Sequence, residues 1–201
     1  MIITTDSFTR CLRRAEYFRY FATVVVALLF TFSFAAEAAN EGIGVRNARL
    51  ELADDGWQLS ADFDIQFTPS LQEAVNRGIP LYFIIEFEVR QPRWWWLDRK
   101  NVYAVRERRI AYQPLTQQYR LSVGNFSQSI NGFEDLKRQL SSLRGWAVTG
   151  RDSLKPGEQY EAGLRMRLDT SQLPRPFQVS AVASSRDWTL SSDWYRWTVT
   201  P

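Results

Sequence analysis

Two pairs of carboxylates stand at i and i+2 spacing: Asp62 with Asp64, and Glu86 with Glu88. On a β-strand each pair shares one face, its members roughly 6–7 Å apart given a rise of about 3.3 Å per residue. That separation suits the acid and base of an inverting glycosidase, and paired carboxylates also take hard cations. The alternative is a solvated strand face whose charges pair with Arg165 and Arg167 across a sheet. The chain has no histidine. This excludes Ser-His-Asp and Cys-His catalysis, histidine general bases and the usual zinc sites. Asp54-Asp55-Gly56 lacks the later acidic positions of an EF-hand loop and reads as a hairpin turn. No residue is assigned a catalytic, cofactor-binding or metal-binding role, and no cofactor is expected.

Contact chemistry is better represented than catalytic chemistry. Arg93-Trp94-Trp95-Trp96 follows Pro92 and precedes Arg99 and Lys100. Three consecutive aromatics cannot share one side of a strand. They either cover the end of a core or present tryptophan to a membrane interface, a sugar or a protein. Arg106, Arg108 and Arg109 lie with Glu107 on one predicted strand. They form either a basic stripe for an anionic surface or a charged strand that discourages edge pairing. The candidate contact surface is therefore Arg93, Trp94, Trp95, Trp96, Arg106 and Arg108. An Asp-Trp pair recurs at Asp187-Trp188 and Asp193-Trp194; it either caps turns and fills core ends or lines a groove of Trp and Arg.

The elements that hold these residues are mostly strands. Along Trp57–Phe67, Trp57, Leu59, Ala61, Phe63, Ile65 and Phe67 alternate with polar residues, the pattern of a half-buried strand. The turn before it pairs Ala48–Leu52 with it, and the apolar phase shift predicts a bulge near Arg46-Asn47. Leu81–Arg90 and Tyr160–Leu168 alternate in the same way. Val102–Tyr112 and Tyr119–Val123 form a predicted hairpin, and Trp194–Thr200 a closing strand. Thr68-Pro69 opens a helix that Gly78 stops. A second helix is predicted from Ile130, Phe133, Leu136, Leu140 and Leu143, capped by Asn131 and ended by Gly145. Phe177–Ala183 fits a short helix or a strand. The expected fold is mostly β, an immunoglobulin-like β-sandwich with two inserted short helices.

An apolar stretch precedes this domain. Tyr20–Ala36 carries no charge and follows Arg10, Arg13, Arg14 and Arg19. Ala36-Glu37-Ala38 fits a small-x-small cleavage site. As an uncleaved anchor the run would span roughly 26 Å, marginal for a bilayer. Residues 1–38 are thus expected to be a signal peptide or an N-terminal apolar anchor helix, and 39–201 a single β-rich domain. The basic flank places that domain outside the cytoplasm, in the periplasm or tethered to the inner membrane. Cys11 precedes the run, so the domain has no cysteine and no disulfide. Beyond Ala38 there are 21 Lys/Arg against 19 Asp/Glu, too balanced to argue for nucleic acid.

Five stretches together resemble a known family: Arg77-Gly78-Ile79-Pro80-Leu81-Tyr82-Phe83, Pro92-Arg93-Trp94-Trp95-Trp96, Gln118-Tyr119-Arg120-Leu121, Arg165 to Pro174, and Ser192-Asp193-Trp194. The chain resembles the proteobacterial domain of unknown function 4390 over essentially the whole region after the leader. The resemblance implies an exported or membrane-anchored protein, and an envelope or signalling role beside a membrane sensor kinase. It carries over no catalytic residues.

The expected function is a non-enzymatic interaction module of the cell envelope, with an envelope or membrane protein as partner and the membrane surface as a further contact. The alternatives are small-ligand, lipid or carbohydrate binding, or a carboxylate-based hydrolase.

Overall fold

The computed structural model describes residues 42–91, 99–178 and 185–201. All lie in the compact unit Asn40–Pro201. The leader and the Arg93–Trp96 segment fall outside the described residues. No helix among the described residues is long and apolar enough to cross a membrane.

Among the described residues the fold is mostly β, built from two antiparallel sheets with short helices. Strands β1 (Ile43–Ala53), β2 (Gly56–Ile65) and β7 (Ser142–Thr149) form one sheet in the order β1-β2-β7. Strands β3 (Leu81–Gln91), β4 (Arg99–Gln113), β5 (Gln118–Val123), β6 (Phe126–Ile130), β8 (Tyr160–Leu168) and β9 (Tyr195–Val199) form the other, ordered β6-β5-β4-β3-β8-β9. The helices are α1 (Pro69–Asn76), α2 (Phe133–Leu140) and α3 (Ser185–Trp188). One apolar core draws on both sheets, an arrangement consistent with a β-sandwich. The order follows the variable-type immunoglobulin scheme, with β1, β2 and β7 in the places of A, B and E and β3, β8 and β9 in those of C, F and G. β4 and β5 extend the second sheet as C′ and C″ do, β6 adds a further edge, and among the described residues no strand pairs in the place of D.

Alternation explains the core. Leu59, Ala61, Phe63 and Ile65 of β2 are buried, as are all five apolar residues from Leu81 to Val89 on the inner face of β3. Tyr160, Ala162, Leu164, Met166 and Leu168 complete the layer from β8. The bulge expected near Arg46-Asn47 is present: β1 and β2 lose register between Val45 and Asn47. At the hairpin start, Gly56 has φ +126, and a Cβ there would lie 2.4 Å from the Thr149 carbonyl oxygen. Only glycine fits that turn.

A tyrosine holds the corner that leads into β8. Buried Tyr160 opens β8, and its hydroxyl accepts the Lys155 N–H at 3.1 Å and donates to Glu158 at 2.8 Å. This ties the corner between β7 and β8 to the strand, as the tyrosine corner of immunoglobulin domains does.

Helix α1 matches the expectation: Thr68 Oγ1 accepts the Leu71 N–H, Pro69 takes the first turn, and Leu71, Ala74 and Val75 face the core. The second helix is shorter than expected. Ile130 belongs to β6 and Leu143 to β7, although both fall at helical spacing from Leu136. The N-cap is Gly132 without a side-chain bond, while Asn131 instead accepts from the Gln118 side chain. Gly145 sits inside β7 at φ +56 rather than ending the helix. In the Phe177–Ala183 stretch, residues 177–178 are helical and 179–183 lie outside the described residues.

Candidate functional site

Of the expected contact residues, Arg93, Trp94, Trp95 and Trp96 lie outside the described residues, in the connection from β3 to β4. Arg106 and Arg108 do not form a surface stripe with Arg109. Strand alternation places them on the inner face of β4 with Val102, Ala104 and Ile110, while Glu107 and Arg109 point the other way. Arg108 is buried, with only 6% of its surface exposed, so it is no contact residue. Its Nη1 donates to the carbonyls of Leu140 at 2.8 Å and Ser142 at 2.9 Å, with Gln139 further off at 3.4 Å. These carbonyls end α2 and begin β7, so Arg108 caps the helix from the opposite sheet. Burial, helped by the nearby Arg106 charge, pushes the Arg108 guanidinium down to about 10, still cationic at neutral pH. Arg106 is half-buried and stacks 5.0 Å from the Trp146 ring.

The four carboxylates separate into two settings. Asp62 pairs with Arg144 at 2.5 Å and Asp64 with Arg46 at 2.5 Å, both on the solvated face of β2. The hydrogen bond from Arg46 is the main influence holding Asp64 below its usual value. The Arg165 and Arg167 partners weighed for both pairs meet Glu86. Nor is the Glu86–Glu88 face solvated: Glu86 is 7% and Glu88 1% exposed.

What buries them is a frame of arginines and aromatics on the outer face of the larger sheet. Glu86 Oε2 accepts from Arg165 Nε at 2.9 Å and Nη2 at 2.5 Å, and lies 3.4 Å from Arg167 Nε. Its other oxygen accepts from the Tyr103 hydroxyl at 3.1 Å. Glu88 meets Arg90 at 2.8 Å and Arg196 at 3.5 Å. Arg196 also bonds Glu161 at 2.7 Å. The register makes this frame: Glu86 stands beside Arg165 and Val105, and Glu88 beside Gly163 and Tyr103. Gly163 leaves room for an indole. Trp194 packs above it, with a Cβ at that glycine falling 3.2 Å from the ring, and the guanidinium groups of Arg165 and Arg196 stand 4.7 Å and 5.6 Å from the ring centre. Burial alone would raise the Glu86 carboxyl, but hydrogen bonds from Arg165 and Tyr103 and the charges of Arg165 and Arg167 outweigh it. Glu86 is held below the usual range and is anionic at neutral pH.

The arginines themselves are not consumed. Arg90, Arg165, Arg167 and Arg196 keep 31–36% of their side-chain surface open, and Tyr103 and Val105 beside them are half exposed. The face therefore presents fixed, planar donors and aromatic edges over a buried anionic base. Beside Trp194, residues 42–45 and 191–195 line a cavity of about 280 Å³, just under the usual range for ligand pockets. Among the described residues no three His, Cys, Asp or Glu side chains converge as a metal site.

Glu86, Glu88, Arg165 and Arg167 were visible in the sequence; Trp194 and Arg196 were visible only as part of an Asp-Trp repeat. The residue that organises them, Gly163, had no sequence signal beyond being a glycine inside an alternating strand.

Comparison with curated proteins finds no match, and neither does comparison with solved structures. A family model described as a domain of unknown function matches residues 40–198, nearly the whole of the unit just described. The chain belongs to the family DUF4390.

Proposed function

We propose that residues 39–201 are a single immunoglobulin-like β-sandwich working outside the cytoplasm as a non-enzymatic interaction module, delivered by residues 1–38 as signal peptide or membrane anchor. The partner is an envelope protein, bound on the outer face of β4, β3, β8 and β9. The observation that carries this reading is the frame around Glu86 and Glu88. Arginine, tryptophan and tyrosine are the residues that dominate protein contacts. Here the guanidinium groups are pre-positioned by buried carboxylates and by Trp194, so little side-chain freedom remains to be lost on binding. The exposed donors favour a partner surface bearing carboxylates.

The same frame weighs against hydrolase chemistry. A general acid needs a raised pKa, whereas Glu86 and Asp64 are both held low by arginine.

The test is crosslinking in intact cells with the tagged chain, followed by mass spectrometry. One envelope protein should be captured reproducibly, and Val105→Asp should abolish capture while Ser60→Asp on the opposite sheet leaves it intact. Capture by a folded Val105→Asp chain equal to the parent would refute this face as the contact.

A further inference from the structure

A sheet edge is an open row of backbone donors and acceptors, and proteins normally guard it. Three of the four edges among the described strands are guarded. β1 has its bulge at Arg46 and carries Arg49 and Glu51. β7 loses register twice against β2 and holds Arg144 and the left-handed Gly145. β9 carries Arg196, whose guanidinium bonds Glu161. The fourth edge, β6, is Phe126-Ser127-Gln128-Ser129-Ile130. It has no charge, no proline and no register shift against β5, and its first four residues are exposed.

The sequence of this edge is also nearly symmetric about Gln128: apolar, Ser, Gln, Ser, apolar. A strand with that pattern can pair antiparallel with itself about a two-fold axis, the isologous geometry of most dimers. The backbone has the matching phase. The hairpin turn is the two residues Gly124-Asn125, which makes Val123 and Phe126 the hydrogen-bonded pair that closes it. Hydrogen-bonded pairs alternate in an antiparallel ladder. Phe126, Gln128 and Ile130 therefore direct their backbone groups to β5, and Ser127 and Ser129 direct theirs outward. Pairing Ser127 with the partner's Ser129, and Ser129 with the partner's Ser127, uses all four outward groups and leaves Gln128 facing the partner's Gln128 on the axis. Phe126, 85% exposed, then lies opposite the partner's Ile130.

We infer that β6 is a homodimer edge: two copies join antiparallel through β6, centred on Gln128, and the two six-stranded sheets become one. The contact closes on itself and leaves no unguarded strand among those described. It is separate from the arginine face and does not depend on it.

The geometry supplies its own test. At a non-hydrogen-bonded antiparallel pair the Cα atoms lie about 4.5 Å apart, within the range a disulfide spans. Gln128→Cys in the full chain carrying Cys11→Ser should give a covalent dimer under mild oxidation as the main species on a non-reducing gel. Ser60→Cys, on the outer face of β2, should stay monomeric. Equal crosslinking of the two would overturn the inference. A charge pair covers the chance that the cysteine variant misfolds. Ser127→Lys with Ser129→Lys, and Ser127→Glu with Ser129→Glu, should each sediment as a monomer alone and as a heterodimer when mixed. A mixture that remains monomeric would overturn it as well.

Discussion

Replacing Arg108 with alanine removes a cation from inside the domain, and its effect can be worked from the contacts. Nη1 makes two short bonds, to the carbonyls of Leu140 and Ser142, and a third longer one to Gln139. A hydrogen bond involving a charged group contributes about 1.5–3 kcal/mol. The acceptors are backbone groups at a helix end facing the core, with the side chain that served them gone. Against this, the folded state no longer carries the cost of desolvating a guanidinium. Two good bonds lost, partly offset, give a net destabilisation of about 3–5 kcal/mol, the range for removing one side of a buried ionic contact. In a domain of this size that lowers Tm by roughly 6–20 °C, at 2–4 °C per kcal/mol. Arg108→Lys keeps the charge but loses the planar spread of donors, and should cost about half as much. Urea unfolding followed by tryptophan fluorescence reads both variants; an unchanged m-value shows that the same unit unfolds. If Arg108→Ala fell within about 1 kcal/mol of the parent, the carbonyls would have other donors and the capping role would be wrong.

Two further substitutions read the frame and the corner. Glu86→Gln should cost about 1–3 kcal/mol at pH 7. Because the native Glu86 pKa lies below the unfolded one, its stabilisation is complete above the unfolded value and is lost as pH falls through the native value. The gap between parent and Glu86→Gln in urea midpoint should therefore close on acidification, and a gap that is constant with pH would contradict the ion-pair assignment. Tyr160→Phe deprives Lys155 N–H of its acceptor and should cost about 1–2 kcal/mol in the same assay; amide exchange at Lys155 should accelerate with it.

Much of the scaffold was legible because it obeys period two. The inner faces of β2, β3 and β8 are the residues that alternation picks out, and the Arg46-Asn47 bulge follows from a phase shift in β1. What misled was coincidence of period. Ile130 and Leu143 sit at helical spacing from the true helix, yet the chain turns into β6 before it and β7 after it. β7 hid because its alternation is broken by the register shifts against β2 and by Arg144-Gly145. β6 hid because its three middle residues are polar and only Ile130 reaches the core. Arg108 was readable in principle: the phase set by Val102, Ala104 and Ile110 already points it inward. The burial of Glu88 was not readable, because it involves Arg196, which reaches β3 only through β8 and the register of β9.

The strand order has a kinetic consequence. β3, β4, β5 and β6 form a meander of local contacts and can assemble as soon as they are made. The pairs that join the halves are remote: Phe83 of β3 waits for Leu168 of β8, and Leu59 of β2 waits for Trp146 of β7. Until those residues arrive, β2 and β3 each present an open, apolar strand. Closing such long loops puts folding in the slower millisecond-to-second regime of all-β domains. The chain therefore spends its growth phase as an exposed half-sheet, and β2 and β3 must be kept apart from other chains until β7 and β8 are made.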